Sequence, residues 1–221
     1  RLPVQTIVLS DHRRPEVIER VRATCTQQKQ VYWVCPLIEE SDLQHYQAAE
    51  TTFKTLKADL TDLRLGLIHG RLPSAEKERI MRDFKNGAID LLVATSVIEV
   101  GVDVSSANLI VIENAERLGL AQLHQLRGRV GRSETKGFCI LLYQTLSPLA
   151  KERLGIMRNS NDGFMIAQRD LELRGPGEIW GLRQTGWKQL RIADLKRDHD
   201  LIPHVLNLSS TLHTEYPYLI E

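Results

Sequence analysis

The sequence predicts an α/β chain: a parallel sheet with helices on both faces, followed by a helical appendage. Three observations predict it. Short β-rich runs alternate with amphipathic helical segments up to Tyr143. The runs are apolar throughout rather than alternating with polar residues, the pattern of strands buried on both faces. After Tyr143 the alternation stops and helical patterns follow one another.

Taken in order, Thr6–Ser10 is the first strand. Pro15 suits the first position of a helix in which Val17, Ile18, Val21 and Cys25 recur at helical spacing. Val31–Leu37 and Leu65–His69 are the next strands, and Pro73-Ser74 opens a helix whose Ile80, Met81 and Phe84 share a face. Leu91–Ser96, Leu109–Asn114 and Phe138–Tyr143 complete six strands. Residues 147–158 and 164–173 then read as two helices, and Arg174–Gly186 as a connection rich in glycine (Gly175, Gly177, Gly181, Gly186). A last helix over about 199–213 places Leu201, Val205, Leu208 and Leu212 on one stripe. The expected organisation is a sheet domain over 1–146, a helical hairpin with its loop over 147–197, and a C-terminal helix and tail over 198–221.

Composition narrows the function classes. With 42% hydrophobic and 26% charged residues the chain has the make-up of an ordinary globular protein, not of a disordered one. No apolar run approaches the roughly 18 residues that cross a bilayer, so no membrane role is expected. Cys25, Cys35 and Cys139 lack metal-ligand or redox spacing and read as buried thiols, which fits a cytoplasmic protein with no metal site of its own. The net charge of +1 conceals a basic stretch: residues 115–197 hold fifteen Lys and Arg against eight Asp and Glu. Such a stretch suits phosphates, although a solvated surface looks the same in composition.

In a doubly covered parallel sheet, ligands collect beyond the carboxyl ends of the strands. Three segments lie there. In Gln125-Leu126-Arg127-Gly128-Arg129-Val130-Gly131-Arg132, a continuous helix would put Gln125, Gly128, Arg129 and Arg132 on one face. Two guanidiniums and an amide would then meet a phosphate brought by a neighbouring domain, and the glycines would let that surface approach. Two glycines in a surface helix cost about 2 kcal/mol against alanine, which argues that they serve such a purpose. Ala94-Thr95-Ser96 leaves a strand through a hydroxyl pair and leads to Gly101-Val102-Asp103. It reads equally as a phosphate contact with a nucleotide-facing turn or as a capped strand end. Ile68-His69-Gly70-Arg71 is a third strand end beside these two.

These segments, in this order and on these elements, resemble the C-terminal RecA-like lobe of superfamily-two helicases. The resemblance covers residues 1 to about 146. It implies that Arg129 and Arg132 act as arginine fingers on ATP bound by another lobe, with Gln125 beside them and Gly128 next to the nucleotide. It also implies that His69, Gly70 and Thr95 contact the nucleic-acid backbone, and that Gly101 and Asp103 sense nucleotide state. Further on, Asp162 to Glu178 and Gly181-Leu182-Arg183-Gln184-Thr185-Gly186 resemble a translocation motif, and Gly175-Pro176-Gly177-Glu178 with Arg183-Gln184 matches the RecG family of DNA helicases better than the transcription-repair coupling factor. There Arg169, Arg174, Arg183 and Gln184 are expected to couple lobe closure to movement along DNA.

The sequence contains neither a Gly-x-x-x-x-Gly-Lys-[Ser/Thr] loop nor an Asp-Glu-x-His box. ATP and Mg²⁺ are therefore expected to bind chiefly on a motor lobe outside this chain, and the fragment alone is expected to be inactive. The resemblance further implies a bacterial, nucleoid-associated enzyme acting on duplex or branched DNA, partnered by that lobe, by a junction-reading wedge domain and by single-stranded-DNA-binding protein. Stalled forks and Holliday junctions are the implied substrates, in recombination and repair. Two other readings are a transcription-repair coupling motor and a non-catalytic DNA-binding or docking module.

Overall fold

The computed structural model describes residues 3–36, 42–95, 104–131 and 136–174 together with 201 and 204, with backbone alone at 42–46 and 174. Six strands, β1 (Gln5–Ser10), β2 (Gln30–Val34), β3 (Leu65–Ile68), β4 (Leu91–Ala94), β5 (Ala107–Ile112) and β6 (Phe138–Tyr143), form one sheet in the order β1-β6-β5-β2-β4-β3. Every pairing is parallel, as the unbroken apolar runs require. The connecting helices are α1 (Arg14–Thr26), α2 (Asp42–Asp59), α3 (Ser74–Lys85) and α4 (Leu120–Arg127), and α5 (Pro148–Asn159) and α6 (Gly163–Arg174) follow the last strand. This is the RecA-like lobe that the sequence predicts.

Alternate strand residues divide the core. Val31 and Trp33 of β2 pack with Val17, Ile18 and Val21 of α1 and with Ala49 and Leu56 of α2. Tyr32, pointing the other way, meets Phe84 of α3 with ring centroids 4.9 Å apart. All four residues named for α1, Val17, Ile18, Val21 and Cys25, are buried, whereas on α3 Ile80 and Phe84 are buried and Met81 only partly so. At the amino edge the buried Gln30 donates from Nε2 to the carbonyls of Phe84 and Ile89 and accepts from Ser106, joining α3 and the start of β5 to β2.

Four strands stop sooner than expected, β4 among them, which ends at Ala94 with Thr95 already past the strand. β2 ends at Val34, before Cys35-Pro36, because proline cannot donate to the ladder. β3 ends at Ile68 because His69 accepts from Leu72 N in a tight turn, and β5 ends at Ile112 because Asn114 adopts a left-handed conformation (φ 45°). The three cysteines are buried free thiols, and burial pushes Cys25 and Cys139 each up to about 12. Among the described residues no helix is long and apolar enough to cross a membrane.

The chain divides into two compact units, Arg1–Asp170 and Leu171–Glu221. Up to Asp170, the helices that follow β6 therefore belong with the sheet: α5 packs on β1, with Ala150, Leu154 and Met157 buried. α5 begins with Ser147 as cap, its hydroxyl accepting from Ala150 N at 3.1 Å, and Pro148 in the first turn. The helix expected over 199–213 and the Arg174–Gly186 connection lie outside the described residues apart from Arg174 backbone, Leu201 and His204.

Candidate nucleotide and nucleic-acid site

Register places the strand exits side by side. Ile68 pairs with Ala94, Ala94 with Val34, and Val34 with Ile112, so His69, Thr95, Cys35 and Glu113 line one carboxyl edge. The structure thus brings His69, Gly70 and Thr95 together on adjacent strands. His69 is buried at the start of its turn, and Lys77 of α3 donates from Nζ to the Gly70 carbonyl at 2.7 Å, which fixes the turn from outside. Thr95 donates its backbone N–H to Ile68 O at 3.2 Å. Its side chain is buried, and its hydroxyl makes no hydrogen bond, a costly arrangement in a dry site. Gly101 and Asp103 lie outside the described residues.

Sequence reading missed Glu113, the buried carboxylate at the exit of β5. Its Oε1 accepts from Arg14 Nη1 at 2.5 Å and from Trp33 Nε1 at 2.9 Å, and its Oε2 accepts from Thr52 Oγ1 at 3.5 Å. Arg14 also grips Asp11 Oδ1 through Nε and Nη2 at 3.0 and 2.6 Å. Burial pulls the Arg14 guanidinium down, but Glu113 and Asp11 outweigh it and hold the pKa above the ordinary value. One carboxylate therefore ties the exits of β1, β2 and β5 to α2. The available signal was an acid ending an otherwise apolar strand.

The arginine-rich segment departs from the expected helix. α4 ends at Arg127: Gly128 N still bonds His124 O at 3.0 Å, but Arg129 N reaches back only to Leu126 O and Val130 N only to Arg127 O. The chain tightens into a turn, and Gly131 takes φ +69°. The helical stripe that begins at Gln125 is therefore broken before Gly131. Gln125 is exposed on α4, while Gly128 and the half-buried Arg129 follow in the turn, and Arg132 lies outside the described residues. The expectation that the glycines admit a foreign surface is also corrected for Gly131, because the surface that approaches is the protein's own. A Cβ there would meet Val4 Cγ2 at 2.9 Å and Gly137 Cα at 3.4 Å.

Arg127 is the functional candidate the sequence reading passed over. It lies four residues after Leu123 and seven after Leu120, on the buried stripe of α4, and is itself buried. Its Nη1 donates to Met157 O at 2.9 Å, Ser160 O at 2.7 Å and Thr6 Oγ1 at 3.4 Å. Its Nη2 lies 3.0 Å from His124 Nδ1. Because guanidinium only donates, that ring is neutral with its proton on Nε2. Burial, reinforced by the Arg127 charge, holds His124 below its ordinary pKa. The end of the arginine-bearing helix is thereby bolted to the end of α5 and to the turn that leads into α6. The His124 ring also lies under Gly163, where a Cβ would approach Nε2 to 3.1 Å. On α6, Arg169 is exposed; the Arg174 side chain, Arg183 and Gln184 lie outside the described residues.

The chain is similar to known proteins. The family "Helicase conserved C-terminal domain" matches residues 14–134, and "ATP-dependent DNA helicase RecG, domain 3, C-terminal" matches 160–217. The chain is 57% identical over 98% of its length to a protein of Escherichia coli named ATP-dependent DNA helicase RecG, and covers 32% of it. It is 51% identical over its whole length to the protein of that name from Haemophilus influenzae, again covering 32%. The chain spans about a third of the length of the curated relatives it matches. A solved structure of RecG bound to a three-way DNA junction aligns with a TM-score of 0.71 and 44% identity, over 91% of this chain and 26% of that one. By these matches the chain belongs to the helicase conserved C-terminal domain family, within which it corresponds to the C-terminal part of RecG.

Proposed function

We propose that this chain is the second motor lobe of an ATP-dependent DNA translocase that remodels branched DNA, including stalled forks and Holliday junctions. The single observation that carries the reading is the Arg127 clamp. It joins the turn bearing Arg129, where a nucleotide-loaded lobe would dock, to the end of α5 and the turn before α6, which precede Arg183 and Gln184 in the sequence. The relatives' name and the junction bound by the solved RecG point to the same substrate class.

On this reading Arg129 and Arg132 face ATP held by the other lobe and stabilise charge on the transferring phosphoryl oxygens, with Gln125, Gly128, Gly101 and Asp103 beside them. The described lobe offers guanidinium and backbone donors there, which fit phosphate. Mg²⁺ is assigned to the other lobe together with the ATP phosphates, because the sequence has no Asp-Glu-x-His box to hold it. Along the carboxyl edge, the turn at His69-Gly70 and the unspent hydroxyl of Thr95 offer donors to a DNA phosphate. Closure of the lobes moves the finger turn, Arg127 transmits the movement to α5, and the hairpin draws Arg169, Arg174, Arg183 and Gln184 along the duplex.

Substitution tests this coupling in the full-length protein. Arg183→Ala should leave DNA-stimulated ATP hydrolysis within about threefold of wild type and reduce junction unwinding by about tenfold or more. Parallel loss of both activities would exclude a coupling role for the loop. A docking module without motor function would show neither activity in the wild-type protein.

A further inference from the structure

One pair of half-buried charged side chains beside the clamp is left incomplete. Arg153 lies on α5 one turn before Met157, on the same side of the helix. Its Nη2 donates to the backbone carbonyl of Glu116 at 2.8 Å. Glu116 belongs to the 3-10 turn Ala115–Arg117 between β5 and α4. Its Oε1 is reached by Gln144 N at 3.4 Å. Arg153 Nε and Glu116 Oε2, however, are both buried and both without a hydrogen bond.

A buried donor and a buried acceptor of opposite charge, on two elements in contact, each lack a partner that the other could supply. The guanidinium is already anchored on the main chain of the residue whose carboxylate it does not engage. Rotation of two side chains would convert that backbone contact into an ion pair. The contact sits one helical turn from the Arg127 clamp, so α5 is held by one completed tie to the end of α4 and one uncompleted tie to the segment that enters it.

We propose that Arg153 and Glu116 are positioning residues for translocation, closing into an ion pair when a nucleotide-loaded lobe docks on the finger turn. The pair then fixes α5 to the α4 entry as Arg127 fixes it to the α4 exit, and α5 follows α4 as a rigid body. The inference rests on the motor reading above.

The test uses the full-length protein and a synthetic three-way DNA junction. Glu116→Gln, which keeps size and removes the charge, and Arg153→Gln, which removes the charge and leaves a shorter amide donor, should each lower the junctions unwound per ATP hydrolysed by about tenfold while DNA-stimulated hydrolysis stays within about threefold. The double variant should be no worse than either single, because one interaction is removed only once. If hydrolysis and unwinding fall together, or if the double variant shows the product of the single effects, the pair has no such role. If Arg153→Gln does not fold, Arg153→Lys keeps the charge and should recover more than half of the unwinding per ATP; no recovery in a folded Lys variant overturns the proposal. A wild-type protein that hydrolyses no ATP on the junction would instead overturn the motor reading.

Discussion

Arg127 shows how much a single buried side chain can decide. Its guanidinium serves two main-chain carbonyls and one imidazole nitrogen, so replacing it leaves Met157 O and Ser160 O without their donor inside the protein. Arg127→Ala should therefore destabilise the fold by roughly 3 kcal/mol, measured as the shift in urea midpoint at constant slope. A loss below about 0.5 kcal/mol would mean that the clamp is not structural. Its partner His124 makes the clamp sensitive to acid. The folded ring is held below its ordinary pKa of 6.5, so the unfolded chain takes up the proton first as pH falls. The stabilisation is present in full above 6.5 and is lost as pH drops through the depressed folded value. Melting temperatures from pH 8 to pH 5 should fall less steeply for His124→Asn, whose amide oxygen can accept from Arg127 without titrating. Legibility at this scale was uneven. Cys25, Cys35 and Cys139 could be read as buried thiols from apolar neighbours alone, whereas Arg127 and Glu113 could not be told from surface charges, because sequence does not show which carbonyls a guanidinium will find.

Elements were more legible than their ends. The six strands follow from uninterrupted apolar runs, and β6 spans Phe138–Tyr143 as expected. Strand exits and the end of α4 were harder, because turn geometry rather than hydrophobicity sets them: the His69 turn, the left-handed Asn114 and the positive φ of Gly131 each end an element where the pattern alone would continue. Gly131 is the clearest case. Its φ of +69° is unfavourable for any side chain, and an added Cβ would lie 2.9 Å from Val4 and 3.4 Å from Gly137 on the approach to β6. Gly131→Ala should thus cost about 2 kcal/mol, combining left-handed strain with displacement of Val4. Thermal unfolding of the variant measures it. Truncating the flexible contact as well, in Gly131→Ala with Val4→Ala, should not restore full stability, since the backbone strain remains; complete restoration would show that packing alone dictates the glycine.

At the scale of the whole molecule, the candidate site is half of one. On the proposed motor reading its cations, Arg129 and Arg132, answer a phosphate that this chain has no Gly-x-x-x-x-Gly-Lys-[Ser/Thr] loop to bind. The proposed division rests on motif content, whereas the connection between the end of α4 and α5 became visible only when Arg127 was seen to cross from one to the other. In the full-length protein, Arg129→Ala and Arg132→Ala should each lower kcat for DNA-stimulated ATP hydrolysis by about 10³ to 10⁵, the usual worth of an arginine finger, with little change in folding stability. The 221-residue chain by itself should hydrolyse no ATP above background, with or without DNA. Adding a separately purified ATP-binding lobe should restore activity only with an intact Arg129, because on the motor reading the guanidinium acts across the interface on charge developing in that lobe. Hydrolysis by the isolated chain would place the phosphate site within it and remove the reason for assigning the two arginines to a partner's nucleotide. Full activity of both alanine variants would leave them as surface cations, and the motor reading would then lack its chemistry.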